Sequence, residues 1–491
     1  MRSLIGGRVL PVVIVVLLAA LMTDLPYAAA LEPPRVDPAS VPGDGVPGPE
    51  QPMRQSNVCA TTVATADPDV ARPAPGFAML NVAQAWKHST GHGVAVAVID
   101  TGVNPGRRLP VVPGGDYIMG GDGLSDCDAH GTIVAALIGA APRGAPMPAP
   151  MPPTPAFPPP GGGPAVTGAV DTADTSTAPD GVAGVAPHAT VISIRQSSRA
   201  YELQNPGPGD VDARRKAGTL ATLARAIVHA ANQGAKVINV SVSSCVSAAD
   251  PLDQRSIGAA VWYAATVKDA VIVAAAGNAG EDGCAQNPPL NPLDAEDPRD
   301  WGLIKTVSSP SWFSDYVLSV GAVDADGAPL PKSLAGPWLG VAAPGVGIIG
   351  LSPQTGSPVN AFPPMRAGEP AVPFWGTSFA AAYVSGVAAL VRGKFPGLTA
   401  HQVINRILRT AHNPARGVDN QVGFGVVDPV AALTFDILAG DRRAPQAHTR
   451  VITPPTPAPP PDRRARTVAV TFAGVVVIGA VSFALLARRA G

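Results

Sequence analysis

The chain has 491 residues, 46% of them hydrophobic, which excludes a wholly disordered polypeptide and supplies enough apolar surface for a large folded domain. Only 14% are charged and the formal net charge is -1, so no overall positive field favours binding to nucleic acid.

Residues 1–30 read as an export signal: Arg2 and Arg8 precede an apolar stretch at 12–22, and the small residues Ala28 and Ala30 form a cleavage site. An uncleaved membrane anchor is the competing reading. Residues 31–75 are rich in Pro and Gly without apolar periodicity, which predicts an extended N-terminal arm.

From residue 93 the pattern changes. Five runs are apolar at successive positions, namely VAVAVID (94–100), TVISIRQ (190–196), KVINVSVS (236–243), AVIVAAAG (270–277) and YVLSVGAV (316–323). Such runs predict strands buried on both faces. Helical patterns fall between and after them at 221–233, 257–269, 378–394 and 399–410. The alternation predicts an α/β domain over 76–437, with a parallel sheet flanked by helices.

A Pro-rich tract interrupts the domain at 141–180 and has too little apolar surface to pack, so a mobile insertion is expected there. A second tract forms a semi-rigid linker over 438–466. Residues 467–487 are apolar for the length of a bilayer span, followed by a short tail at 488–491. Arginines flank the span on both sides, so the export signal sets the orientation, with the bulk of the chain outside the cytoplasm. Four cysteines, Cys59, Cys127, Cys245 and Cys284, fit two disulfides in an exported protein and allow three pairings.

Three phrases carry chemistry. Asp100 ends the first buried strand, where open parallel sheets place ligands, although an Asp there can also cap a turn. His130 and Gly131 open a small-residue run in DCDAHGTIVAALIGA. A metal reading of Asp126, Cys127, Asp128 and His130 is weak, because an oxidised Cys127 offers no thiolate. Ser378 heads GTSFAAAYVSG and is either a helix N-cap or a nucleophile. Together the three provide a hydroxyl, an imidazole to take its proton and a carboxylate to fix the imidazole's tautomer.

The order Asp, His, Ser and the local phrases DTGV, HGTIVAA and GTSFAAAYVSG resemble the subtilisin-like serine proteases, supported by GVAGVAPHATVISIRQ, VAAPG and GFGVVDPVAA. That resemblance implies a subtilisin-like fold with Asp100, His130 and Ser378 as catalytic triad and Asn278 of AAAGNAG as oxyanion donor. It also implies substrate bound as an added strand along Ser241, Val242 and Ser243, with a side-chain pocket walled by Ala275, Ala276 and Gly277. Small walls suit a modest apolar side chain, with Glu281 or Asp282 near the rim. In that fold the loops after two neighbouring strands carry Cys245 and Cys284, which implies their pairing and leaves Cys59 to tie the arm to Cys127. No cofactor and no metal is implied.

The short arm in place of a folded pro-domain, the insertion and the C-terminal span are similar to the mycosins, membrane-anchored subtilisin-like proteases of mycobacterial type VII secretion systems. PPRVDPASVPGDGVPGPEQPMRQ, GGDYIMGGDGLSDCDAHGT and RGVDNQVGFGVVD carry the likeness. It implies a periplasm-facing, single-pass serine endopeptidase that cleaves secretion-associated proteins and belongs to the secretion membrane complex. Two alternatives are a mainly structural subunit with dispensable proteolysis, and a degradative protease of broad specificity.

Overall fold

The structure is a computed structural model and describes residues 33–143, 179–205, 217–250, 253–290, 299–415, 417–445 and 464–489. The expected export signal and most of the insertion and linker lie outside the described residues. The chain divides into two units, Met1–Ala447 and His448–Gly491.

The first unit is built on strands β1 (Ala95–Asp100), β2 (Val111–Asp116), β3 (Thr190–Arg195), β4 (Val237–Val240), β5 (Val271–Ala275), β6 (Val317–Val323) and β7 (Leu339–Pro344). They form one sheet in the order β2-β3-β1-β4-β5-β6-β7, with every pairing parallel. The direction of winding reverses at β1, so the crevice at its carboxyl end is the natural binding place. Five of these strands coincide with the apolar runs. The two edge strands do not: β2 has the sequence VVPGGD and is half-exposed. Its Pro and two Gly look like a turn, and a sheet edge tolerates them because one side needs no ladder hydrogen bonds.

Five helices matter for the site and its support: α1 (His130–Gly139), α2 (Leu220–Asn232), α3 (Arg255–Trp262), α4 (Thr377–Lys394) and α5 (Ala400–Thr410). Reciprocal side-chain and backbone bonds cap α2 at Thr219 and Thr222, and α5 at Thr399 and Gln402. The helix expected over 257–269 changes after α3 into a wider π-helical turn, Tyr263–Val267.

Every residue of α4 except Lys394 is buried, as an all-round apolar helix requires. Each large apolar side chain on it, such as Val384 or Leu390, contributes about 1.5–3 kcal/mol by leaving water. Small residues permit this depth: a Cβ at Gly386 would lie 2.5 Å from the Val185 Cβ. The buried Arg392 guanidinium bonds the Asp269 carboxylate at 3.0 Å and its carbonyl at 2.6 Å, near the helix end where the dipole favours a cation. A polar chain fixes the other end. Ser385 Oγ donates to Asn239 Oδ1, Asn239 Nδ2 to Ser241 Oγ, each at 2.8 Å, and Ser241 Oγ to the Ser378 carbonyl at 3.1 Å.

The described part of the arm lies on this unit. Met53–Gln55 pairs antiparallel with Tyr201–Leu203, Asp44 contacts His229 at 2.7 Å, and Glu50 accepts from Thr219 Oγ1 at 2.8 Å. Disulfides join Cys59 to Cys127 and Cys245 to Cys284. With its cysteines 68 positions apart in the chain, the first contributes about 4 kcal/mol in the chain-entropy account.

The second unit is described as a single helix, Arg464–Arg489, with side chains defined over 472–487. Among the described residues no helix is long and apolar enough to cross a membrane.

Candidate active site

Asp100 is the last residue of β1 and is completely buried. Its Oδ1 accepts the Thr101 backbone N–H at 2.7 Å and stands 2.7 Å from His130 Nδ1. The imidazole is carried on the first residue of α1, beginning after Ala129, whose left-handed backbone (φ 64) is an unusual conformation for a residue with a side chain. The Asp100 carboxylate holds the proton on Nδ1 and leaves Nε2 as the basic nitrogen.

Asp126 ties the two parts of this pair together. Its Oδ1 accepts from Thr101 Oγ1 at 2.8 Å, and its Oδ2 accepts from the Thr132 N–H at 2.8 Å and Thr132 Oγ1 at 2.7 Å. Thr101 Oγ1 in turn accepts the Gly131 N–H at 2.9 Å. One buried carboxylate thus fixes both the residue after Asp100 and the first turn of α1. The residues of the weak metal reading have these other partners: Asp126 in this network, Cys127 in a disulfide and Asp128 accepting the Arg199 N–H at 2.7 Å.

Burial pushes the Asp126 carboxyl up to about 6, against the hydrogen bonds from Thr132 and Thr101, and the Asp100 charge adds to the rise. For His130, burial works against the cation, but the Asp100 charge and hydrogen bond prevail, with Asp126 and Asp128 adding, and the net shift is upward. With His130 as the general base, only its neutral imidazole can accept a proton, so activity is expected to rise with pH as His130 deprotonates, above the ordinary histidine value. Asp126→Asn removes a negative charge that favours the imidazolium. The acid limb of kcat/KM against pH is therefore expected to move to lower pH, and a limb that stays or moves upward contradicts the assignment.

Ser378 is the second residue of α4, not its cap; the capping position is Gly376. Gly376 has φ 142, and a Cβ on it would lie 3.3 Å from Asn278 Nδ2, so a side chain there would meet both strain and crowding. The hydroxyl of Ser378 donates to the Ser241 carbonyl at 3.0 Å. The first-turn N–H groups of α4 lack intrahelical acceptors, and the positive end of its dipole lies there.

Asn278 follows β5. Its Oδ1 accepts both the Thr377 N–H and Thr377 Oγ1 at 3.1 Å, which orients the carboxamide and leaves Nδ2 as its donor end. Nδ2 lies 3.4 Å from Glu281 Oε2.

His130, Ser378, Asn278, Ser241, Val242 and Ser243 all line one cleft of about 520 Å³. Its far walls come from the arm (Asn57, Val58, Ala60) and from Phe362 and 372–375, which the apolar patterns did not mark. Ala275, Ala276 and Gly277 do not line it. They are buried behind it, with Ala275 O accepting from Ser311 Oγ at 2.7 Å and Gly277 N donating to Thr377 Oγ1 at 3.2 Å. Thr101, Asp126 and Thr377 were missed as supports; Thr101 and Thr377 are polar residues beside apolar or small-residue runs, which is the signal that marks them, whereas Asp126 stands among other polar residues and carries no such signal.

A hydroxyl, a carboxylate-paired imidazole and an oriented carboxamide, converging at the carboxyl end of a β2-β3-β1-β4-β5-β6-β7 parallel sheet, define a serine hydrolase of subtilisin-like architecture. The chain belongs to the subtilase family (Peptidase S8), whose profile matches residues 91–425, and within it to the mycosins. It is 59% identical to Mycosin-2 of Mycobacterium tuberculosis over 96% of each chain. The structure of the serine protease MycP1, described as an essential component of the type VII (ESX-1) secretion system, is 45% identical with TM-score 0.70, covering 82% of this chain and all of that one. A chain of the intact ESX-5 inner membrane complex is 48% identical with TM-score 0.72, over 92% of this chain and 99% of that one. The chain is a subtilisin-like serine endopeptidase.

Proposed function

We propose that Asp100, His130 and Ser378 act as one catalytic relay, with Asn278 completing the oxyanion site, to cleave secretion-associated proteins at a type VII secretion membrane complex. The 2.7 Å contact of His130 Nδ1 with Asp100, in the cleft that Ser378 also lines, carries the reading.

Substrate binds as an extended strand along Ser241, Val242 and Ser243. The Ser378 hydroxyl rotates from the Ser241 carbonyl to His130 Nε2, gives up its proton there and forms a bond to the scissile carbonyl carbon. Negative charge develops on the carbonyl oxygen, between Asn278 Nδ2 and the Ser378 N–H. His130 passes the proton to the leaving amine, and the peptide bond breaks. Water then enters, loses a proton to His130 and bonds the acyl carbon; the bond to Ser378 Oγ breaks as His130 returns that proton to Oγ, and the carboxylic product leaves. Asn278→Ala is expected to lower kcat about 100- to 1000-fold with little change in KM, because the donor acts mainly in the transition state. Steady-state kinetics on one peptide check this, and a loss confined to KM contradicts the role.

The layout that accompanies this reading is a cleaved signal (1–30), an arm (31–75), the protease domain (76–437, with insertion 141–180), a linker (438–466), a membrane helix (467–487) and a cytoplasmic tail (488–491). The protease domain then faces the periplasm. The anchor rests on the apolar run at 467–487 in the sequence.

A second reading, a mainly structural subunit, is favoured by the relative seated within the ESX-5 inner membrane complex. Complementing a deletion strain with Ser378→Ala separates the two. Loss of secretion with an intact complex, together with uncleaved secreted proteins by mass spectrometry, supports the proteolytic reading; restored secretion with unchanged cleavage products defeats it.

A further inference from the structure

The donor end of Asn278 is not directed into empty cleft: the Glu281 carboxylate sits 3.4 Å from it. Glu281 is held there by the backbone. Its N–H donates to the Asn278 carbonyl at 3.1 Å and its carbonyl accepts from Cys284 at 2.8 Å, within a turn that the Cys245–Cys284 disulfide ties down. Two other acids line the same cleft, and both have other partners. Asp282 lies 3.2 Å from the Arg199 guanidinium, and Asp128 accepts the Arg199 N–H and the Ser198 hydroxyl. Among the described residues, the Glu281 carboxylate forms no ion pair and hydrogen-bonds the neutral Asn278 amide.

An anion in this position has two effects on the reaction. It occupies the hydrogen bond that the oxyanion needs, and its charge opposes the charge that develops on the substrate carbonyl. A cationic group on the substrate relieves both, because it draws the carboxylate from Asn278 and neutralises it as the oxyanion forms. Selection of this kind acts in the transition state and is read in kcat/KM.

Resting on the triad and oxyanion reading above, we infer that Glu281 is a specificity-determining residue that selects polypeptides carrying Lys or Arg beside the scissile bond. The small-walled pocket expected from the sequence pointed to an apolar side chain. The rim carboxylate adds a charge requirement next to it.

The test uses the full-length protein in detergent and a synthetic peptide library randomised at every position, with cleavage sites read by mass spectrometry. Peptides differing only in Lys, Gln or Glu at the selected position then give kcat/KM. Wild type is expected to favour Lys over Glu by roughly tenfold. Glu281→Gln should remove most of that preference while raising kcat on the Gln peptide, and Glu281→Lys should reverse it. Glu281→Ala serves as a second neutral variant, and thermal unfolding confirms that each variant is folded. Ser378-dependent cleavage without a charge preference, or with one unchanged in Glu281→Gln and Glu281→Ala, overturns the assignment. Cleavage that survives Ser378→Ala counts instead against the triad reading on which it rests.

Discussion

Replacing Ser378 with Ala is expected to lower kcat/KM by roughly 1000-fold or more, leaving substrate affinity close to that of the wild type. In the proposed relay the loss follows from what the hydroxyl alone provides, namely the atom that bonds the scissile carbon. His130 and Asp100 remain paired at 2.7 Å without it, and Asn278 remains oriented by Thr377, so the cleft still binds peptide and still stabilises charge. The fold should tolerate the change. Ser378 is only 8% exposed, but its lost bond is to the Ser241 carbonyl, one hydrogen bond worth about 1 kcal/mol, and Ala suits the helix. Progress curves with a cleaved peptide, read beside thermal unfolding, separate lost chemistry from lost folding. Activity within tenfold of wild type in a folded Ser378→Ala protein contradicts the account.

Asp100→Asn is expected to cost about 10000-fold in kcat, although it changes a single buried atom. The Asp100 side chain is wholly enclosed, and its Oδ1 already accepts the Thr101 N–H. If the amide oxygen stays there, the new NH2 occupies the place of Oδ2, a buried atom that has no hydrogen-bond partner. If the amide turns over, its NH2 faces His130 Nδ1, and the proton is then held on the wrong ring nitrogen for accepting one from Ser378. In both cases the charge that stabilises the imidazolium is gone. His130 loses its main source of upward shift, so the residual activity should show its acid limb at lower pH. A pH profile of kcat for Asp100→Asn checks both parts, and a modest rate loss with an unmoved limb contradicts them.

The central strands were readable because burial on both faces leaves no room for polar alternation: VAVAVID and AVIVAAAG announce β1 and β5 directly. The edge strand β2 was not, since only one side of it is covered and Pro113 can sit there without breaking a ladder. The α4 helix was legible from its composition, but the role of its polar residues was not. Ser385 looks like filler in a small-residue run, yet through Asn239 and Ser241 it helps fix the first turn that bears Ser378. The same holds for Asp126, whose value lies in contacts with Thr101 and Thr132, six residues or more away in the chain. The motifs pointed to Asp100, His130 and Ser378 because hydrolysis by a serine requires those residue types, and the structure pairs Asp100 with His130 and sets His130 and Ser378 in one cleft. Ala275 and Gly277 were legible only as small residues; their backbone bonds to Ser311 and Thr377 depend on contacts far along the chain.

A fluorophosphonate probe tests the convergence most directly, since it phosphonylates only a serine whose hydroxyl is deprotonated on attack beside an oxyanion site. Peptide mapping of the labelled protein should find one adduct, on Ser378, absent from His130→Ala and nearly absent from Asp100→Asn. Labelling of another serine, or labelling of Ser378 that is unaffected by loss of His130, would show that the three side chains do not work as one relay.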